Sequence, residues 1–158
     1  MYTVDQFDEV QVLEGLPSHS AGAPMPVILA NDHALILAYE TAPDGADYAI
    51  VKFLSPRAHY FGAPNDETLR GHPLAARGLG HYGIYEIRHS SWIRTLDRVN
   101  SVHPRHNASR FQKLRHFVFT FHDATLECVA EGITLVGRLP NTVENSKTLL
   151  TEMAAELR

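Results

Sequence analysis

The stretch that most restricts the fold is Leu114 to Glu131, LRHFVFTFHDATLECVAE. Phe117, Phe119 and Phe121 alternate with His116, Val118, Thr120 and His122, the period-two pattern of a strand with one greasy face. Asp123-Ala124 reads as a two-residue turn, with Asp favoured there for its turn chemistry. That turn sets Phe121 opposite Leu126, Phe119 opposite Cys128 and Phe117 opposite Ala130. On the other face His122 meets Thr125, Thr120 meets Glu127, and His116 meets Glu131. One face of a hairpin is therefore expected to carry two histidines and two glutamates. It is a candidate site whose reaction the stretch does not specify.

The rest of the chain supplies more short strands. Val10–Leu13 alternates, and a loop rich in Gly, Pro and Ser runs from Gly15 to Pro26. Two apolar runs, Val27–Ala30 and Ala34–Glu40, flank Asn31-Asp32-His33 as a hairpin. Pro43-Asp44-Gly45 marks a turn before a strand at Tyr48–Leu54. Ser55-Pro56 breaks that strand, and His59–Phe61 continues briefly. Residues 62–80 are irregular and polar, with a helical turn around Leu74–Leu79, and long loops of this kind often carry function. Tyr82–Ser90 returns to strand character.

Ser90 or Ser91 can cap a helix from Trp92 to Val102, with Trp92, Ile93, Leu96 and Val99 on one stripe. Pro104 stops it, and Asn107 caps a further turn through Phe111 and Leu114. After a last strand at Ile133–Val136, Asn141 and Glu144 form a capping-box-like helix start. That helix presents Val143, Leu149, Leu150, Met153 and Leu157, for packing on the sheet or on a partner subunit. These elements predict an α+β fold, a mostly antiparallel, curved β-sheet with one mid-chain helix and one C-terminal helix packed on it. A single domain spans 1–158, with 1–26 partly irregular.

At 158 residues, 44% hydrophobic and 20% charged, the chain has the composition of a globular domain with a real core. No apolar run approaches the ~18 residues of a membrane span. Cys128 is the only cysteine, which rules out an internal disulfide and fits a reducing compartment. The opening MYTVDQFDEVQVLEG lacks the basic and apolar regions of a secretory signal, so a cytoplasmic location is expected. Charge is uneven: residues 1–69 carry net −8, residues 70–115 net +7 and the remainder net −3. The basic middle either neutralises the acidic flanks or exposes a patch for a phosphate or carboxylate. A pI near 6.2 argues against general nucleic-acid binding.

Six of the ten histidines fall between His81 and His122, which raises acid/base and metal chemistry as candidates. In the acid/base reading His122 is the proton-transfer group, with Glu127 and Asp123 as carboxylate partners and His72 and Asp66 from the 62–73 loop completing the catalytic set. Asn65, Glu67, His116, Thr120 and Arg115 are the candidate ligand-binding residues. The plain structural alternative makes His122 and Asp123 hairpin-end residues and Asn65–Glu67 a solvated turn or helix cap. No cofactor is specified, but a divalent metal remains open, with His116, His122 and Glu127 as its ligands and His72 or His103/His106 arriving from loops. No HExxH or CxxC motif is present, and His103/His106 lie beyond a helix stop. Cys128 alternates onto the phenylalanine face, where a thiol is normally inert core. Arg88, Arg94, Arg98, Arg105, Arg110 and Arg115 suit anion recognition, although no phosphate-binding glycine motif accompanies them.

PNDE at Pro64–Glu67, GHPL at Gly71–Leu74, SSWI at Ser90–Ile93 and RHFVFTFHDATLECVAE at Arg115–Glu131 together resemble an uncharacterised bacterial family over residues 27–136. The resemblance implies one bacterial cytosolic design for these polar blocks and brings no activity, cofactor or catalytic residue. The leading expectation is a small bacterial cytosolic enzyme or ligand-binding domain acting on a small polar, anionic molecule, its pocket lying between the hairpin's polar face and the 62–73 loop. The alternative is a non-enzymatic immunity or accessory factor that binds a protein partner through an exposed sheet edge and the acidic N-terminal third. No membrane association is expected, and homo-oligomerisation stays open.

Overall fold

The phenylalanine face needs a second apolar layer, and a computed structural model of the chain, describing residues 2–22 and 24–157, supplies it as a second sheet. The strands are β1 (Glu9–Val12), β2 (Val27–Ala30), β3 (Ala34–Glu40), β4 (Asp47–Leu54), β5 (Ala58–Gly62), β6 (Ile84–Arg88), β7 (Arg115–Thr120), β8 (Thr125–Ala130) and β9 (Gly132–Pro140). Helix α1 covers Ser91–Asn100 and α2 covers Val143–Ala155. All pairings are antiparallel, in a five-stranded sheet ordered β1-β6-β7-β8-β5 and a four-stranded sheet ordered β2-β3-β4-β9.

The two inner faces interdigitate. Leu35, Leu37 and Tyr39 of β3 and Ala49, Val51 and Phe53 of β4 pack against Phe117, Phe119, Phe121, Leu126, Cys128 and Ala130. Phe119 sits centrally, with ring centroids 6.0 Å from Tyr39 and Phe53 and 5.9 Å from Phe121. Burial raises the Cys128 thiol well above its ordinary pKa, so it behaves as a core group.

The expected α+β class, with antiparallel strands, a mid-chain helix and a C-terminal helix, is what forms, with the strands divided between two sheets. The chain changes sheet three times, between β1 and β2, at residues 55–57 between β4 and β5, and at Glu131 between β8 and β9, the last two corners being adjacent. The second sheet arises because β3 is apolar on both sides. Its Ile36 and Ala38, with Tyr48 and Ile50 of β4, face outward and are covered by Leu149 and Met153 of α2. The last strand is also longer than expected and bulges at Val136, where the register against β4 passes from Leu135 to Gly137.

The register of the central hairpin differs from expectation by two residues. Its turn is the four residues 121–124, closed by Phe121 N–H donating to Ala124 O at 2.9 Å. Thr120 therefore faces Thr125, Val118 faces Glu127 and His116 faces Val129. Ala124 is a poor residue for the positive φ that a tight two-residue hairpin turn demands, which accounts for the wider connection. Because the shift is even, every side chain keeps its face. Glu131 lies beyond the strand, on the sheet corner, 3.8 Å from Arg57.

The helices also depart from expectation at their ends. Ser90 caps α1, accepting from Ile93 N–H, but the helix stops at Asn100, short of Val102. Thr142, not Asn141, caps α2 by accepting from Asn145 N–H, while the Asn141 amide donates to Gly45 O. Leu149 and Met153 are buried, whereas Val143 and Leu150 are exposed. Among the described residues no helix is long and apolar enough to cross a membrane.

Candidate functional site

The outer face of the five-stranded sheet presents His116, Val118 and Thr120 from β7 and Thr125, Glu127 and Val129 from β8, all buried. The long irregular segment 62–83 covers Val118, Thr120, Thr125 and Glu127, Tyr2 and Trp92 lie against His116, and the hairpin's own polar groups fasten the segment down. Thr120 Oγ1 accepts from Gly83 N–H and donates to Gly80 O, both at 2.9 Å. Thr125 donates to Pro64 O, and Asp66 N–H donates to His122 O. Leu69, Leu74 and Leu79 then pack on Tyr85, Ile87 and Val118. Gly83 has no substitute here, since a Cβ would overlap the Tyr85 ring.

Beneath this cover Glu127, 3% exposed, sits at the centre of a polar network. Its Oε1 accepts from His72 Nε2 at 3.2 Å. Its Oε2 accepts from Tyr2 Oη at 2.5 Å and from His116 Nε2 at 3.0 Å. His72 Nδ1 accepts from Leu74 N–H, which leaves its proton on Nε2, facing the carboxylate. His116 Nδ1 lies 2.9 Å from Ser90 Oγ, the α1 cap, so the network runs from the N-terminal segment through the sheet to a helix terminus. Tyr2 is held by Trp92, stacked at 5.1 Å, and meets the edge of His116 at 5.5 Å. Nearby, Asp8 accepts from Ser91 N–H and Asp5 N–H, tying the same segment to α1.

Burial by itself pushes the Glu127 carboxyl up, but the donors His116, His72 and Tyr2 overcome that and bring it down to about 2. Burial and the adjacent Glu127 carboxylate raise Tyr2. A folded-state value below the unfolded one makes the carboxylate stabilising above the unfolded value of 4.5, with that contribution lost as pH falls toward 2. The expected loss is about 3 kcal/mol. It is read as a fall in urea-unfolding free energy between pH 5 and pH 2 that is shallower in Glu127→Gln.

The network is not sealed on every side. A cleft of about 340 Å³ opens between Tyr60 on β5 and the 63–73 segment, with Thr68, His72 and Glu127 in its wall. Tyr60 is the cross-strand neighbour of Glu127, and both residues line the cleft. Among the described residues no arginine or lysine lines this cleft.

The other candidate residues are distributed elsewhere. His122 belongs to the hairpin turn, not the strand face. Its Nδ1 is 3.5 Å from Asp66 and 3.4 Å from Asp123, without hydrogen-bond geometry to either. Tyr82 donates to Asp66, which lowers the Asp66 carboxyl and raises the Tyr82 hydroxyl. This second cluster shares no hydrogen bond with Glu127, so the pairing of His122 with Glu127 is not assembled. Nor is the metal set His116, His122 and Glu127; among the described residues no group of three such side chains is arranged to hold a metal ion. Asn65 Oδ1 accepts from the N–H and hydroxyl of Thr68, making it a turn cap, and Glu67 is exposed. Arg115 binds Glu86 through Nε and Nη2, with Arg88 on the same carboxylate, and Arg94 pairs with Asp5. These three arginines are spent within the fold.

Sequence reasoning did not reach Tyr2, Ser90 or Asp8 as members of this arrangement. Ser90 was legible only as a helix cap, and a lone tyrosine in an irregular segment carries no periodic signal. No protein-family model, no curated protein and no solved structure matches the chain.

Proposed function

We propose that the protein is a small-molecule-binding domain whose cleft over His72 and Glu127 takes a small polar ligand bearing N–H donors, an amine above all. The observation that carries this reading is the ionised Glu127 carboxylate in the cleft wall, whose Oε1 accepts one hydrogen bond, from His72, and retains acceptor capacity. With no cationic side chain among the described lining residues, an anion gains nothing there, whereas an ammonium group finds a carboxylate with Tyr60 in the same cleft wall. This turns the sequence-based expectation of an anionic ligand around. Binding is favoured over turnover because both ring nitrogens of His72 and of His116 are already engaged, leaving no free base.

The test is a thermal-shift panel at pH 7 with butylamine and putrescine against butyrate and butanediol. The amines should raise Tm in a dose-dependent way, by about 2.7 kcal/mol of added stability at a hundredfold excess over Kd. Tyr60→Ala should fold and lose that shift. An equal response to butyrate, or none to either amine, contradicts the proposal.

A further inference from the structure

A second cavity lies at the C-terminal end of α1 and is lined by none of the residues around Glu127. We infer that it is a binding site for an amphipathic carboxylate, a molecule with one carboxylate head and an apolar body of medium length. Its volume is about 590 Å³, within the range of small-molecule sites. Its walls are mostly apolar and come from three neighbouring pieces of chain: Leu96 and Val99 of α1, Val102 just beyond it, and Phe111 and Leu114 in and just after the helical turn at Ala108–Lys113, with Asn100 and His103 as polar members. Val99 and Val102 are 67% and 88% exposed, so this part of the expected α1 stripe is not absorbed by the core. The helix ends at Asn100 and the chain turns through His103-Pro104, leaving both valines on the rim of the hollow.

Two guanidinium groups line the same hollow, Arg57 and Arg110. They differ from the arginines around Glu86 and Asp5 in lacking a tight partner. Arg110 has no ion-pair partner among the described residues. Arg57 has only the half-exposed Glu131 carboxylate, at 3.8 Å. An apolar hollow with an unpaired arginine and a loosely held one is complementary to a body that is greasy at one end and anionic at the other. The Glu131 contact shows that Arg57 can be approached by a carboxylate, and a ligand head group would displace a weak, solvent-screened pair at little cost. The amine cleft is lined by none of these residues, so the two sites are independent.

Isothermal titration of the full chain with decanoate, kept below its micelle-forming concentration, tests the assignment. Decanoate should bind with one-to-one stoichiometry, with acetate silent for want of a body and decanol at least about tenfold weaker for want of a head. Arg110→Gln should weaken decanoate about tenfold, and Val99→Asp should abolish binding while circular dichroism stays that of the parent chain. Decanol binding as well as decanoate would remove the role of the arginines and overturn the inference. So would absent decanoate binding, including the case in which sedimentation shows a dimer that Val99→Asp dissociates, since a second copy then occupies the hollow.

Discussion

Glu127→Ala is expected to lower the unfolding free energy by about 3–5 kcal/mol at pH 7, the loss typical of breaking a buried ionic arrangement by removing one partner. Three buried donors, His72 Nε2, His116 Nε2 and Tyr2 Oη, lose their acceptor at once, and alanine brings nothing to replace it. Tyr2 and His116 are buried behind Glu127 and do not line the cleft, so water entering beside His72 leaves these two donors without an acceptor. Tyr2→Phe removes one donor and leaves the carboxylate two, and should cost about 1–3 kcal/mol. Urea unfolding of the two variants separates them. A Glu127→Ala cost below about 1 kcal/mol would mean that the carboxylate is solvated and the network is not closed.

Phe119→Ala should be as damaging, at about 3–5 kcal/mol, for a different reason. Its ring touches Tyr39 and Phe53 of the facing sheet as well as Phe121 of its own hairpin, so truncation opens a cavity where the two sheets meet. Val12→Ala, on the edge strand and 72% exposed, serves as the control and should stay within about 0.5 kcal/mol. If Phe119→Ala behaved like Val12→Ala, the phenylalanine face would not be the inner face of a sandwich.

The faces of the strands were legible because alternation survives errors of register. A register displaced by two residues still left Phe117 and Phe119 inside, His116 and Glu127 on the opposite face and Cys128 in the core. The split into two sheets was not legible, because β8 passes to β9 through Glu131 alone, with no turn cluster to mark the corner. Within the candidate site, adjacency in sequence misdirected the reading. His122-Asp123 looked like a base with its carboxylate, yet both are turn residues. The pair that forms is His72 with Glu127, separated by 55 positions and joined only when the 62–83 segment folds over the sheet. Tyr2 joins across 125 positions, a distance over which a single chain without periodicity offers no cue.

The central claim is that Glu127 is an ionised carboxylate held under cover by three donors. Its most direct test is a carbon-13 NMR titration of the Glu127 side-chain carboxyl in the folded protein, with the imidazole nitrogens of His72 followed in the same sample. The account predicts that the carboxyl stays ionised well below pH 4.5, toward a midpoint near 2, with the His72 proton on Nε2 at neutral pH. A carboxyl that titrates at or above 4.5 while the chain remains folded would contradict it.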